Sequence, residues 1–343
     1  MQNRNNIFDA IKAFAIWLVV FGHCIQYLSG VDFWNNKLFQ LIYSFHMPLF
    51  FMISGFFFTS SIKLGIKDFL LKKSVSLLLP CFIWAIIYAF VNWSGIKEFF
   101  LNIAIPSHWP FWFFKGLFIV QLLAYLFLHL SRMIFPDDEL GGVLIASLFS
   151  LIVYFLPYMA VPRVMIPIFF FGYLMRLYYE KFVRYYRVIG FVALLLFCGL
   201  FYFWNAEVMH YSAGASVTIY GVILGKHGYN IHHLLMLLYR IVIGSVGSLA
   251  VISLMHEIRG VPQIISKIGM STAGIYIIQT LILERILSEL FKRNVISPMD
   301  DGMCLIMSVL VCFASFVIFS LLNKNKILSV FLFGSYRRIE RST

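Results

Sequence analysis
The sequence predicts an all-α, polytopic integral membrane protein of about ten transmembrane helices, with both termini in the cytoplasm. Apolar runs of 18 residues or more recur along the chain, long enough to cross a bilayer as helices. The composition is 61% hydrophobic and 12% charged, where an ordinary soluble domain carries about a quarter charged residues. The few basic residues also alternate in density from loop to loop. Leu- and Phe-rich runs without period-two alternation exclude an outer-membrane barrel. The net charge of +12 does not argue for nucleic acid. Its basic residues lie mostly in short loops between apolar runs, where they set orientation, so no nucleic-acid partner is expected.

The spans are about 8–28, 39–62, 74–92, 113–135, 142–160, 164–179, 188–205, 234–256, 270–290 and 303–324. The first, FDAIKAFAIWLVVFGHCIQYL, is apolar enough for a bilayer yet carries Asp9, Lys12 and His23. It is too long for a signal peptide and lacks a small-residue cleavage site, so it is expected to remain as an uncleaved first span. The second holds His46 and Pro48, and the third follows a lysine-rich loop. The fifth and short sixth are expected to form a tight hairpin across the Val161–Met165 turn. In the eighth, Gly244, Gly247 and Ala250 offer a small-residue face suited to a close helix crossing. Phe56–Phe58 and Phe169–Phe171 read as lipid-facing aromatics. The five cysteines, Cys24, Cys81, Cys198, Cys304 and Cys312, lie in apolar runs without metal-type spacing and read as packing residues. With no internal repeat and no gap long enough for a soluble domain, residues 1–343 read as a single transmembrane domain.

Orientation follows from the basic residues. With the amino terminus inside, seventeen Lys and Arg fall in cytoplasmic segments, among them Lys63, Lys67, Lys72, Lys73, Arg132, Arg176 and Arg187. Six fall on the opposite side: Lys37, Lys97, Arg163, Lys226, Lys292 and Arg293. This bias places both termini in the cytoplasm. Depth then sorts the ionisable residues within the spans. Lys12 and His23 are eleven residues apart, about three turns, so they share one helix face roughly 16 Å apart along the axis. His23 falls in the outer half of the membrane. His46, on the antiparallel second span about 10 Å from its outer end, falls at similar depth. Lys115, Arg163 and Arg240 lie near the outer ends of their spans, and Glu284 in the outer half of the ninth. Lys12 stands alone near the inner face. Ionisable groups in a bilayer cost several kcal/mol unless they face protein or water, so a convergence at one depth suggests a site.

These residues resemble the membrane-bound acyltransferase 3 family, the bacterial polysaccharide O-acetyltransferases. Its opening helix, with a basic residue, ten intervening positions and a histidine, is matched by Lys12 and His23. Its HMPLFFxISGF signature is matched by His46, Met47, Pro48, Leu49, Phe50, Phe51, Ser54 and Gly55. LLLP at Leu77–Pro80, WFFKGLF at Trp112–Phe118, IPIFFFGYLM at Ile166–Met175 and GMSTAGIYIIQ at Gly269–Gln279 resemble its later elements. The islands run from end to end of the chain and are most similar to the fucose O-acetylase-like branch. Two positions depart. Ser74 and Ser76 stand where the family often has arginines ahead of Leu-Leu-Pro, leaving Lys72 and Lys73 as the local cations. The late element ends in Gln279 in place of the usual histidine; glutamine cannot titrate, and no catalytic role is expected there.

The resemblance implies an O-acetyltransferase of the bacterial cytoplasmic (inner) membrane, with no bound cofactor. Its acyl donor would be acetyl-CoA, and its acceptor a hydroxyl of a cell-surface or lipid-linked glycan. Acyl transfer needs a base for the hydroxyl proton, donors for the oxyanion and exclusion of water. His23 is the expected base, acting on the acceptor or on a transient acyl-carrying group, and His46 is expected to orient it, hold the acceptor or donate to the oxyanion. Lys12, Lys72 and Lys73 would hold the CoA phosphates as point charges, and Lys115, Arg163, Arg240 and Glu284 would line the acceptor side. Lys72 and Lys73 equally suit anionic membrane lipid. The competing class is a transporter or flippase of a glycan or small acidic solute, with the intramembrane charges forming a relay or substrate path.

Overall fold
Apolar runs that cannot hydrogen-bond to lipid must satisfy their own backbone, and helices do so locally. The computed structural model describes residues 6–30, 32–92, 111–154, 164–209 and 231–335; among these there is no strand. Helices Asn6–Leu28, Lys37–Phe58, Ile66–Ile87, Trp112–Ile134, Tyr179–Tyr202, Leu235–Met255 and Asp301–Leu322 are long and apolar enough to cross a membrane. The protein is a polytopic membrane protein. The three remaining predicted spans are helical too. Met165–Leu177 is shorter than a span, and the helix at Glu139–Tyr154 is described only as far as Tyr154. The ninth predicted span is broken near its start, at Ser271, then runs through Thr272–Thr280, a π-helical section at Leu281–Leu287, and Ser288–Lys292.

Two helices extend beyond their apolar runs. Ile66–Lys73 continues through a π-helical section at Ser74–Leu78 into Leu79–Asn92, and the helix predicted from 188 begins at Tyr179. Lys67, Lys72, Lys73, Arg184 and Arg187 are therefore helical and not in loops. Hydropathy locates the bilayer-crossing part, whereas lysine and arginine are good helix formers that prolong it into water.

The described residues group into two compact units. Unit 1 comprises residues 1–50, 179–210 and 242–322. Its centre is α1 (Asn6–Leu28), against which pack α10 (Gln263–Met270), α11 (Thr272–Thr280), the Leu281–Leu287 section and α13 (Asp301–Leu322). A β-carbon at Gly269 would strike the backbone carbonyl of Asp9, so glycine sets how closely α10 approaches α1. The indole of Trp17 donates to Ser308 Oγ at 3.0 Å. The predicted small-residue face is also used: a β-carbon at Gly247 would lie 2.7 Å from the Phe197 ring and 2.8 Å from Phe45 Cβ.

Unit 2 comprises residues 51–178, 211–241 and 323–343. The second helix, α2 (Lys37–Phe58), enters it at Phe51. Here α5 (Trp112–Ile134), α6 (Glu139–Tyr154) and α7 (Met165–Leu177) pack on one another. The pairing of α6 with α7 agrees with the predicted hairpin, while the turn itself falls mostly outside the described residues. Gly55 and Gly172 form a reciprocal crossing: a β-carbon on Gly55 would strike the carbonyl of Phe169, and one on Gly172 the carbonyl of Met52. That approach overturns the lipid-facing reading of the phenylalanine triplets. Phe56, Phe58, Phe169 and Phe170 are buried, and only Phe57 and Phe171 face outward. Consecutive helical residues point 100° apart, so three in a row cannot share one exposed face. The last helix, α14 (Lys326–Phe333), packs on α4 (Leu79–Asn92), where the Trp84 indole donates to the Leu332 carbonyl at 2.9 Å. All five cysteines are free; Cys24, Cys81, Cys304 and Cys312 are buried, but Cys198 sits on an exposed helix face and is no packing residue.

Candidate functional site
Two histidines of the sequence motifs fall within unit 1. His23 lies about three-quarters of the way along α1, partly exposed, and its Nδ1 is 3.0 Å from Gln279 Oε1 on α11. Gln279 is itself fully buried, and its amide nitrogen donates to Thr280 Oγ1 at 2.8 Å and to the Tyr276 carbonyl at 3.1 Å. One turn beyond His23, the Tyr27 ring lies 6.1 Å from the imidazole. Tyr27 in turn interacts electrostatically with Glu284, Tyr43, Tyr276 and Arg285.

His46 is buried in α2, where its Nδ1–H donates to the Ile42 carbonyl at 2.8 Å. The Tyr43 ring stands edge-on to it at 4.5 Å, and the Tyr43 hydroxyl donates to Gln26 Oε1 on α1 at 3.4 Å. Gly22 makes room for this: a β-carbon there would lie 2.9 Å from Tyr43 Cε2. Tyr43 thus joins the histidine of the second helix to the face of α1 that carries Gln26, three residues past His23.

Glu284 also belongs to unit 1, in the π-helical section. Its Oε2 is buried and has no hydrogen-bond partner among the described residues. A π turn widens the helix by one residue and re-aims the side chains beyond it, a deviation often found at functional sites.

The other predicted residues are placed differently. Lys12 does not stand alone: its Nζ pairs with Asp9 Oδ1 at 2.8 Å, and Asp9 is only 3% exposed. Spacing explains the pair, since residues three apart share a helix face and a buried carboxylate requires a cation. Lys72 and Lys73 end α3 (Ile66–Lys73) in unit 2, half-buried beside the Ser74–Leu78 section. Lys115 and Arg240 are buried in unit 2, Lys115 within electrostatic reach of Cys81. Arg163 lies outside the described residues.

Sequence patterns alone did not single out Gln26, Tyr27 and Tyr43. Each had a signal: Gln26 and Tyr27 follow His23 by three and four positions, and Tyr43 precedes His46 by three, the spacings that share a helix face. Gln279 stood out only as the end of its motif; its contact with His23, 256 residues away, had no local signal.

Comparison with known proteins places the chain in a family. The sequence profile of acyltransferase 3, described as an acyltransferase domain, matches residues 5–324. The chain belongs to the acyltransferase 3 family. Among curated proteins, nodulation protein NolL of Sinorhizobium fredii is 32% identical over 146 residues, which is 39% of this chain and 40% of that protein. NolL of Mesorhizobium japonicum is 30% identical over 145 residues, 38% of each chain. The matched stretch thus spans about two fifths of each of these relatives. No solved structure matches. Within this acyltransferase 3 chain, the basic-x10-His helix and the His-Met-Pro helix bring their histidines into the same unit, with tyrosines and a carboxylate around them.

Proposed function
We propose that the protein is a membrane-bound O-acetyltransferase of the bacterial cytoplasmic membrane. It would move an acetyl group from cytoplasmic acetyl-CoA to a hydroxyl of a cell-surface or lipid-linked glycan. The reading rests chiefly on the acyltransferase domain match over residues 5–324, which contains both motif histidines. The helical bundle and the polar cluster around His23 support it.

In this reading His23 takes the acceptor hydroxyl proton as the oxygen attacks the thioester carbonyl. The tetrahedral intermediate collapses with cleavage of the carbon–sulfur bond, and the imidazolium returns the proton to the departing CoA thiolate. His46 orients the base, holds the acceptor or donates to the oxyanion. Lys12, Lys72 and Lys73 attract the donor phosphates, and Lys115, Arg163, Arg240 and Glu284 serve the acceptor. Membrane lipid surrounds the bundle, and both chain termini lie on the cytoplasmic side.

The test is label transfer from acetyl-CoA to candidate glycans by the purified protein in detergent. A positioned base contributes about 10²–10⁴-fold, so His23→Ala should lower transfer by at least that order while insertion and yield stay near wild type. An active His23→Ala protein removes His23 from the chemistry. Solute transport in vesicles, with neither transfer nor thioester hydrolysis, overturns the acyltransferase reading altogether.

A further inference from the structure
The hydrogen bonds around Gln279 determine more than its own position. Its amide nitrogen faces two acceptors. The Tyr276 carbonyl can only accept, and Thr280 Oγ1 has already donated its proton to that same carbonyl at 2.8 Å. Turning the amide over would set its oxygen against the Tyr276 carbonyl, two acceptors with no hydrogen between them, which disfavours that orientation. The amide oxygen is thereby fixed toward His23 Nδ1 at 3.0 Å. An amide oxygen only accepts, so Nδ1 must carry the hydrogen, and in the neutral imidazole the free lone pair belongs to Nε2.

We infer that Gln279 is a positioning residue that holds His23 in the Nδ1–H tautomer and so makes Nε2 the atom that takes the acceptor proton. This inference rests on the reading of His23 as the base. Gln279 also carries no charge, so it selects the tautomer without placing a carboxylate beside the base. The ionisable neighbours on the packed elements are Tyr27 on α1, Tyr43 and His46 on α2, Tyr276 on α11 and Glu284 and Arg285 on the π-helical section.

The experiment uses the full chain in detergent micelles. Nitrogen-15 spectra of histidine-labelled protein at about pH 8, above the ordinary imidazole pKa of about 6.5, report which ring nitrogen bears hydrogen. The His23 signals are assigned by their loss in His23→Ala. Turnover is read as free thiol released from acetyl-CoA, with a methyl fucoside as probe acceptor. Wild type should show a protonated Nδ1 and bare Nε2. Gln279→Met should abolish that preference and lower kcat by about tenfold to 10³-fold, with KM for acetyl-CoA changed less than about twofold. Gln279→Glu keeps an acceptor at the same reach, with the Thr280 hydroxyl free to turn toward it. It should regain at least about tenfold over Gln279→Met. A protonated Nε2 in wild type overturns the inference, even if the variants fail to fold. Wild-type turnover in Gln279→Met, or no recovery in a folded Gln279→Glu, overturns it as well. Full turnover in His23→Ala would instead defeat the base reading, while the spectra would still decide whether Gln279 sets the tautomer.

Discussion

At the scale of single residues, the partly buried ion pair of Asp9 and Lys12 separates two roles that the sequence merges. Lysine at the head of a basic-x10-His helix reads as a cation for the donor, yet its ammonium is already committed to a carboxylate 2.8 Å away. Lys12→Ala removes that counter-charge and should cost about 1–3 kcal/mol of stability, seen as a lower thermal midpoint in detergent. Asp9→Asn combined with Lys12→Ala should restore much of it. A donor-binding role would persist in that double variant as a raised KM for acetyl-CoA; an unchanged KM assigns Lys12 to the fold alone. The histidines were legible because motif and depth both singled them out. Their partners were only partly legible. Gln26, Tyr27 and Tyr43 are local in sequence, but Gln279 reaches His23 across 256 residues, a contact made by packing that no periodicity encodes.

At the scale of elements, span length was the legible quantity. Among the described residues each predicted span is mainly helix, because the bilayer leaves an apolar segment little alternative. What hydropathy could not show is departure from regular geometry. The π-helical sections at Ser74–Leu78 and Leu281–Leu287 change the number of residues per turn without changing how apolar the stretch is. Nor could it show which face of a phenylalanine run is inward, since in lipid apolar residues suit either side. Close crossings supply that information. Gly55 and Gly172 meet the opposing backbone directly, so Gly172→Leu should abolish detergent-stable protein, as judged by size-exclusion chromatography. Gly199 is the matched control: among the described residues, nothing outside its own stretch of helix lies within 4 Å of its would-be β-carbon, so Gly199→Ala should be tolerated and even stabilise α8 (Tyr179–Tyr202) by roughly 0.5–1 kcal/mol.

At the scale of the whole molecule, the candidate residues are shared out. His23, His46 and Glu284 belong to unit 1 with Lys12, whereas Lys72, Lys73, Lys115 and Arg240 belong to unit 2. Each unit gathers residues from separate parts of the chain, and α2 passes from one to the other between Phe50 and Phe51. Orientation in the membrane is tested by cysteine labelling in a background lacking the five native cysteines. Lys37→Cys should react with an impermeant maleimide from the outside of intact spheroplasts. Lys326→Cys should react only after permeabilisation, and the reverse pattern would invert the topology.

Discontinuity has a further consequence for synthesis. The indole of Trp84 is fastened to the carbonyl of Leu332, 248 positions later. During translation the helix bearing Trp84 therefore waits, its indole N–H without this acceptor, until residue 332 has left the ribosome. A premature stop even a dozen codons before Leu332 would leave the indole permanently unfastened.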